Sequence, residues 1–146
     1  MRLETVTVVG AGAWGSALAQ AAAKAGRRVT LIARDEAVVA EINARHTNGR
    51  HLGGLPLEPG ITAEPLFVPA DIVILAVPAQ ATRQALSAID PEFLAGRPVV
   101  LTAKGLETGT LERQSEILAA MAPEAVPYVL SGPSFAADVA AGRPTA

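Results

Sequence analysis

Residues 5–26 read Thr5-Val-Thr-Val-Val-Gly10-Ala-Gly12-Ala-Trp14-Gly15-Ser-Ala-Leu-Ala-Gln-Ala-Ala-Ala-Lys24-Ala-Gly26, and this stretch decides the fold. The aliphatic run Thr5–Val9 predicts a buried strand, and the alanine-rich segment Trp14–Ala25 predicts a helix. The helix has Lys24 near its end and stops at Gly26, a residue type that closes helices well. Between the two lies the spacing G-x-G-x-x-G, made by Gly10, Gly12 and Gly15. Alone, that spacing is a weak signal. Between a strand and a helix, with a second strand starting at Arg28, it has the context that dinucleotide binding requires. Gly10 permits the tight turn, Gly12 lets the backbone approach a pyrophosphate, and Gly15 lets helix and strand pack closely. The unpaired N–H groups at the helix start, aided by the helix dipole, then meet the phosphate charge.

Working outward, four more aliphatic runs follow: Arg28–Ile32, Asp71–Val77, Pro98–Leu101 and Val126–Leu130. They are continuous where a half-exposed strand would alternate, so they predict a parallel sheet covered by helices on both faces. Helical character lies between them in Asp35–Ala44, in Gln80–Ile89 and in Leu111–Met121, the last with Thr110 as its N-cap. The residues from Asn43 to Glu64 hold Gly49, Gly53, Gly54, Pro56, Pro59 and Gly60, and predict loop with one short strand. The expected architecture is α/β, a doubly wound, mostly parallel Rossmann-type sheet. Residues 1–146 read as one dinucleotide-binding domain with no internal boundary. A short helix over Ala136–Gly142, followed by Arg143-Pro-Thr-Ala146, reads as if another element should follow, and a truncated chain is expected.

The end of the second strand reports on a dinucleotide's ribose: an acidic residue suits the 2′-hydroxyl of NAD, an arginine the 2′-phosphate of NADP. The sequence Ala33-Arg34-Asp35-Glu36 offers both, Asp35 has the alternative of capping the next helix, and dual or NADP-leaning use with Arg34 on the 2′-phosphate is expected. Composition narrows the other possibilities. The chain has no cysteine, which excludes disulfides and thiolate chemistry, and a formal net charge of −2, which gives nucleic acid no electrostatic footprint. No apolar run approaches the roughly 20 residues of a membrane span, and no leader peptide is evident, so a cytoplasmic setting is expected.

Three further motifs fall after predicted strands, on the side where ligands of such sheets bind. They are Ala76-Val77-Pro78-Ala79-Gln80, Ala103-Lys104-Gly105-Leu106-Glu107 and Ser131-Gly132-Pro133-Ser134-Phe135-Ala136. With the glycine loop they resemble the N-terminal domain of NAD(P)-dependent glycerol-3-phosphate dehydrogenase over nearly the whole chain. The resemblance rests jointly on Trp14, on Lys-Gly-Leu-Glu and on Ser-Gly-Pro-Ser-Phe-Ala. It implies NAD or NADP as cofactor, with Ala13 and Trp14 at the pyrophosphate loop, Arg34 near the adenosine and Ala136 near the nicotinamide. It implies Lys104 against both cofactor and substrate, with Gly132 and Ser134 cradling a phosphorylated triose. The implied reaction is hydride transfer between the cofactor and dihydroxyacetone phosphate, giving sn-glycerol 3-phosphate. A second, helical domain would supply the principal acid/base lysine, so these 146 residues alone should bind cofactor and turn over little. A homodimer is allowed for the full-length protein.

Lys104 also earns its role without the family. A lysine just past an apolar strand, followed by Gly105, sits at the edge of the sheet where the crevice lies, and its ammonium could stabilise a developing alkoxide. Other candidates are weaker. Ser134 lacks the second glycine and downstream histidine of a nucleophile elbow. His46 and His51 read as solvated loop residues with no metal partners, and no metal site is expected. Trp14 also reads as a packing residue. Two further readings stand beside the leading one: a related 3-hydroxyacid or ketopantoate-type reductase, and a non-catalytic dinucleotide-sensing module.

Overall fold

In the computed structural model, which describes residues 3–145, the sheet grows outward from β1 (Thr5–Val9). This strand pairs in parallel with β2 (Arg28–Ile32) on one side and β4 (Ile72–Leu75) on the other. Beyond β2 lies β3 (Ile61–Glu64); beyond β4 lie β5 (Pro98–Leu101) and β6 (Val126–Val129). The order is therefore β3-β2-β1-β4-β5-β6, and every pair is parallel.

Because side chains alternate along a strand, the register divides the core between two faces. Val6, Val8 and Leu31 join a buried cluster with Ala19 of α1 (Ala13–Lys24) and Ile42 of α2 (Glu36–Arg45). Val9, Leu75 and Val99 join the opposite cluster, with Leu86 of α4 (Thr82–Ser87) and Ile117 of α5 (Gln114–Met121). Thr7 is fully buried in β1, and its hydroxyl is satisfied by donating to the Val68 carbonyl at 2.6 Å. The last helix, α6 (Ala136–Ala141), packs on α1, where the Lys24 ammonium donates to the Ala140 carbonyl at 3.2 Å. No helix among the described residues is long and apolar enough to cross a membrane.

Several boundaries differ from expectation for physical reasons. The fourth predicted helix begins at Gln114 rather than Leu111. Leu111 is left outside it at φ +58°, and Glu116 caps the helix by accepting from the Arg113 backbone N–H at 2.8 Å. Thr110 does not cap this helix; its hydroxyl donates to Glu107 at 2.6 Å and accepts from the Glu112 N–H at 3.3 Å. The segment Gln80–Ile89 splits into a 3₁₀ turn at Ala79–Ala81 followed by α4. The loop-rich stretch holds a one-turn helix, α3 (Gly49–Leu52), besides the anticipated strand β3.

The largest difference is β6, expected to be buried on both faces and in fact exposed along its whole length. It is the edge of the sheet. The Val126 and Leu130 N–H groups point inward to β5, donating to the carbonyls of Arg97 and Leu101 at 2.9 and 3.0 Å. The nitrogen of Pro127 therefore faces the open edge, the one place in a sheet where a missing N–H costs no ladder bond.

Ile117 reaches the sheet from α5 with no exposed surface. Ile117→Ala is expected to cost about 2–5 kcal/mol through lost burial and the cavity left behind. A urea titration followed by circular dichroism checks this through the shift in midpoint at constant slope.

Candidate functional site

The strand order reverses between β1 and β4, and a parallel sheet leaves a crevice at the carboxyl ends of such a pair. Gly10 turns the chain there at φ +109°, and a Cβ on it would lie 2.6 Å from the Ala76 carbonyl oxygen. A Cβ on Gly15 would fall onto the Gly10 carbonyl oxygen and meet the Ala76 Cβ at 3.2 Å. Packing alone demands both glycines. Gly12 is different: its φ is −71°, and a Cβ on it meets nothing within 4 Å. The fold has room for a side chain at residue 12, so the glycine keeps clear a space outside the protein's own packing.

Gly12 is also the N-cap of α1, with no side-chain cap and no acidic residue in the first turn. The first N–H groups of this twelve-residue helix have no intrahelical acceptor, and its positive dipole end faces the crevice. A cavity of about 510 Å³ opens beside it, lined by the glycine loop, by Arg34 and Asp35 after β2, and by Val77 and Pro78 after β4. The shape, the apolar walls and the uncapped helix start fit a dinucleotide.

Asp35 takes the capping role: its Oδ1 accepts from the Ala37 N–H at 2.9 Å. Its Oδ2 accepts from the Arg50 guanidinium at 3.3 Å. Arg50 and His51 line the cavity too, and sequence reasoning missed them because they sit in the stretch without periodicity. Asn48 is what brings them in. Fully buried, it donates its amide to the Ala11 carbonyl at 3.0 Å and to the Ser16 hydroxyl at 2.9 Å, which fastens this loop to the glycine turn. Glu41 fixes the loop from behind, accepting from the Gly49 N–H at 2.7 Å and the Thr47 hydroxyl at 2.8 Å. Those bonds, Gly49's above all, hold the Glu41 carboxyl below its ordinary range. The Asn48-Gly49 pair was a turn signal in the sequence, although nothing in it announced the partner. His46 is not a solvated loop residue: it is half-buried in left-handed conformation at the end of α2, and its Nδ1 has no hydrogen-bond partner among the described residues.

A second group forms beyond β5 and β6. The exposed Lys104 donates its ammonium to the Gly132 carbonyl at 3.2 Å, bringing together two of the residues singled out in the sequence. Ser134 is half-buried ahead of α6, and Ala136 is the first residue of that helix. None of these four lines the cavity, nor do Ala13, Gly15 or the half-buried Trp14. The loop after Lys104 is held from α4 and the 3₁₀ turn before it. Arg83 forks onto Glu107 at 2.9 and 2.8 Å and also reaches Glu112, while Gln80 bonds the Leu106 carbonyl and the Thr108 N–H at 2.8 and 2.7 Å. The Arg83 bonds, then the Thr110 hydroxyl, hold Glu107 down to about 2. Among the described residues no cluster of three or more metal-ligating side chains gathers.

Residues 5–146 match the family model described as the N-terminus of NAD-dependent glycerol-3-phosphate dehydrogenase. A glycerol-3-phosphate dehydrogenase [NAD(P)+] of Azorhizobium caulinodans is 50% identical over 146 residues, covering 98% of this chain and 44% of that protein. One from Caulobacter vibrioides is 48% identical, covering all of this chain and 45% of its own length. The chain thus spans less than half the length of these relatives. Among solved structures, glycerol-3-phosphate dehydrogenase from Coxiella burnetii superposes with a TM-score of 0.84 at 28% identity, over 97% of this chain and 45% of that one. A probable 2-dehydropantoate 2-reductase from Bacillus subtilis reaches 0.60 at 16% identity, over 86% of this chain and 40% of that one, a likeness of fold alone.

Two tests follow from this geometry. Gly12→Val is expected to cost no more than about 1 kcal/mol, the scale of a helix-cap change, whereas Gly15→Val costs at least ~3 kcal/mol by overpacking; thermal melts of the two variants distinguish them. The second concerns pH. The folded Glu107 titrates near 2 and an unfolded glutamate near about 4.3, so the Arg83–Glu107 pair adds stability above the latter value and loses it as pH falls towards the former. Urea midpoints should separate the parent from Arg83→Gln at pH 7 and converge near pH 2; a gap constant with pH would contradict the pairing.

Proposed function

The chain belongs to the NAD-dependent glycerol-3-phosphate dehydrogenase family, and from that premise we propose that residues 1–146 form a cofactor domain that binds NAD or NADP in the crevice between β1 and β4. The observation that carries this reading is Gly12, a glycine that the fold does not need, at the uncapped start of α1 beside an apolar cavity. In this reading the N–H groups near Gly12, Ala13 and Trp14 donate to the pyrophosphate, and Arg34 lies towards the adenosine. When bound, the nicotinamide supplies or accepts the hydride.

For the whole protein we propose reversible reduction of dihydroxyacetone phosphate to sn-glycerol 3-phosphate. Lys104 is the catalytic residue this domain offers. One of its three N–H donors is spent on the Gly132 carbonyl, which fixes the ammonium in place, and two remain for a substrate oxygen. A carbonyl that gains a hydride becomes an alkoxide, and a fixed cation beside it lowers that charge's energy. Gly132 and Ser134 would cradle the triose phosphate, with Ala136 near the nicotinamide. The rest of the site, including the principal acid/base lysine, belongs to a second domain in this reading, in keeping with relatives more than twice as long. The reductase alternative has only a shared fold behind it.

Three measurements test the proposal. Reduced cofactor should bind residues 1–146, and Gly12→Val should abolish that binding while the protein stays folded. The full-length protein should oxidise reduced cofactor only with dihydroxyacetone phosphate present, and a protein that binds cofactor without such turnover would be the sensing module instead. In that full-length protein Lys104→Ala should lower turnover by about 10²–10³, a far larger factor than the accompanying change in the cofactor dissociation constant.

A further inference from the structure

We infer that Arg50, paired with Arg34, reads the 2′ position of the cofactor's adenosine ribose and selects the 2′-phosphorylated dinucleotide. This rests on the dinucleotide reading above and adds to it a residue and a preference. Asp35 is the acidic residue just past β2 that would otherwise take the two ribose hydroxyls. Both of its oxygens are already engaged. Oδ1 closes the first turn of α2 through the Ala37 N–H at 2.9 Å, and Oδ2 accepts from Arg50 at 3.3 Å. The ribose diol would have to share the carboxylate with both the helix cap and the ion pair.

The cations are placed the opposite way. Arg34 and Arg50 both line the cavity, and Arg34 has no ion-pair partner among the described residues. Arg50 spends one N–H on Asp35 and keeps four in a planar fork. Two guanidiniums on the wall of one cavity, with the neighbouring carboxylate already paired, suit an added phosphate dianion, which a planar guanidinium can meet with two N–H groups at once. The backbone makes the arrangement dependable. Arg50 is carried by the turn that Asn48 fastens to Ala11 and Ser16, so its root is fixed to the same loop that would hold the pyrophosphate. The side chain itself is 72% exposed, so replacing it removes no core contact.

The experiment titrates residues 1–146 with NADPH and with NADH, which differ only in the 2′-phosphate, and follows nucleotide fluorescence. The parent should bind NADPH more tightly. Arg50→Ala, checked for an unchanged melting temperature, should weaken NADPH roughly tenfold or more and NADH less than about twofold, since each charge-assisted bond is lost for one ligand only. Asp35→Asn should leave NADH binding within about twofold. An equal effect of Arg50→Ala on both nucleotides, or none on NADPH, overturns the inference. So does a selective loss of NADH in Asp35→Asn, which would put the carboxylate on the ribose diol. The double variant Arg50→Ala/Asp35→Asn should remain weak for NADPH. Full recovery would mean that Arg50 acts only by neutralising Asp35, and its reading of the phosphate would be refuted. A parent chain that binds neither nucleotide refutes the cofactor reading itself, and this inference with it.

Discussion

Three stretches of backbone come together where the first strand ends, and the rest of the molecule is arranged around that contact. Gly10 lies against the Ala76 carbonyl, and the start of α1 lies against Gly10 at Gly15. Neither approach leaves space for a methyl group. The helix can therefore descend directly onto the junction of β1 and β4, and its end points into the crevice rather than past it. A bulkier residue at either position would lever α1 away from the sheet. Ala19 of α1 belongs to the same constraint, since it is wholly buried in the cluster with Val6, Val8 and Leu31.

The second organising element is a set of polar bonds in a stretch that looks unstructured. Asn48 joins the loop after α2 to the glycine turn. Gln20 of α1 bonds the Pro56 carbonyl at 3.2 Å and the Glu58 N–H at 2.8 Å, and Asn43 bonds both backbone groups of Ala63 at 2.9 and 2.8 Å. These side chains replace the periodic backbone ladder that the loop lacks. As a result a glycine- and proline-rich excursion is held at several points, and it delivers Arg50 and His51 to the cavity wall.

The sheet was legible because parallel strands buried on two faces leave long aliphatic runs, and β1, β2 and β5 fall on the boundaries the runs suggest. The glycine loop was legible because its spacing is a steric requirement. Arg50 and Asn48 were not, because their roles come from long-range bonds that no local period encodes. Leu111 was misplaced for a related reason. Its apolar side chain fits a helical stripe, but the chain reverses at Gly109 and Leu111, and the fork of Arg83 onto Glu107 and Glu112 holds that reversal. Pro127 was a readable sign that β6 lies at an edge, and the aliphatic character of its neighbours outweighed it.

That edge has a bearing on how the isolated chain behaves when concentrated. Tyr128 and Val129 stand 54% and 74% exposed, with Val126 and Leu130 beside them, so one flank of the molecule is wet hydrocarbon. Molecules in crowded solution gain by covering such a flank with one another. Ribbon-like growth needs an unbroken row of outward N–H donors, and Pro127 interrupts that row near its start. Contact through this side is consequently sticky without being templated by the sheet edge.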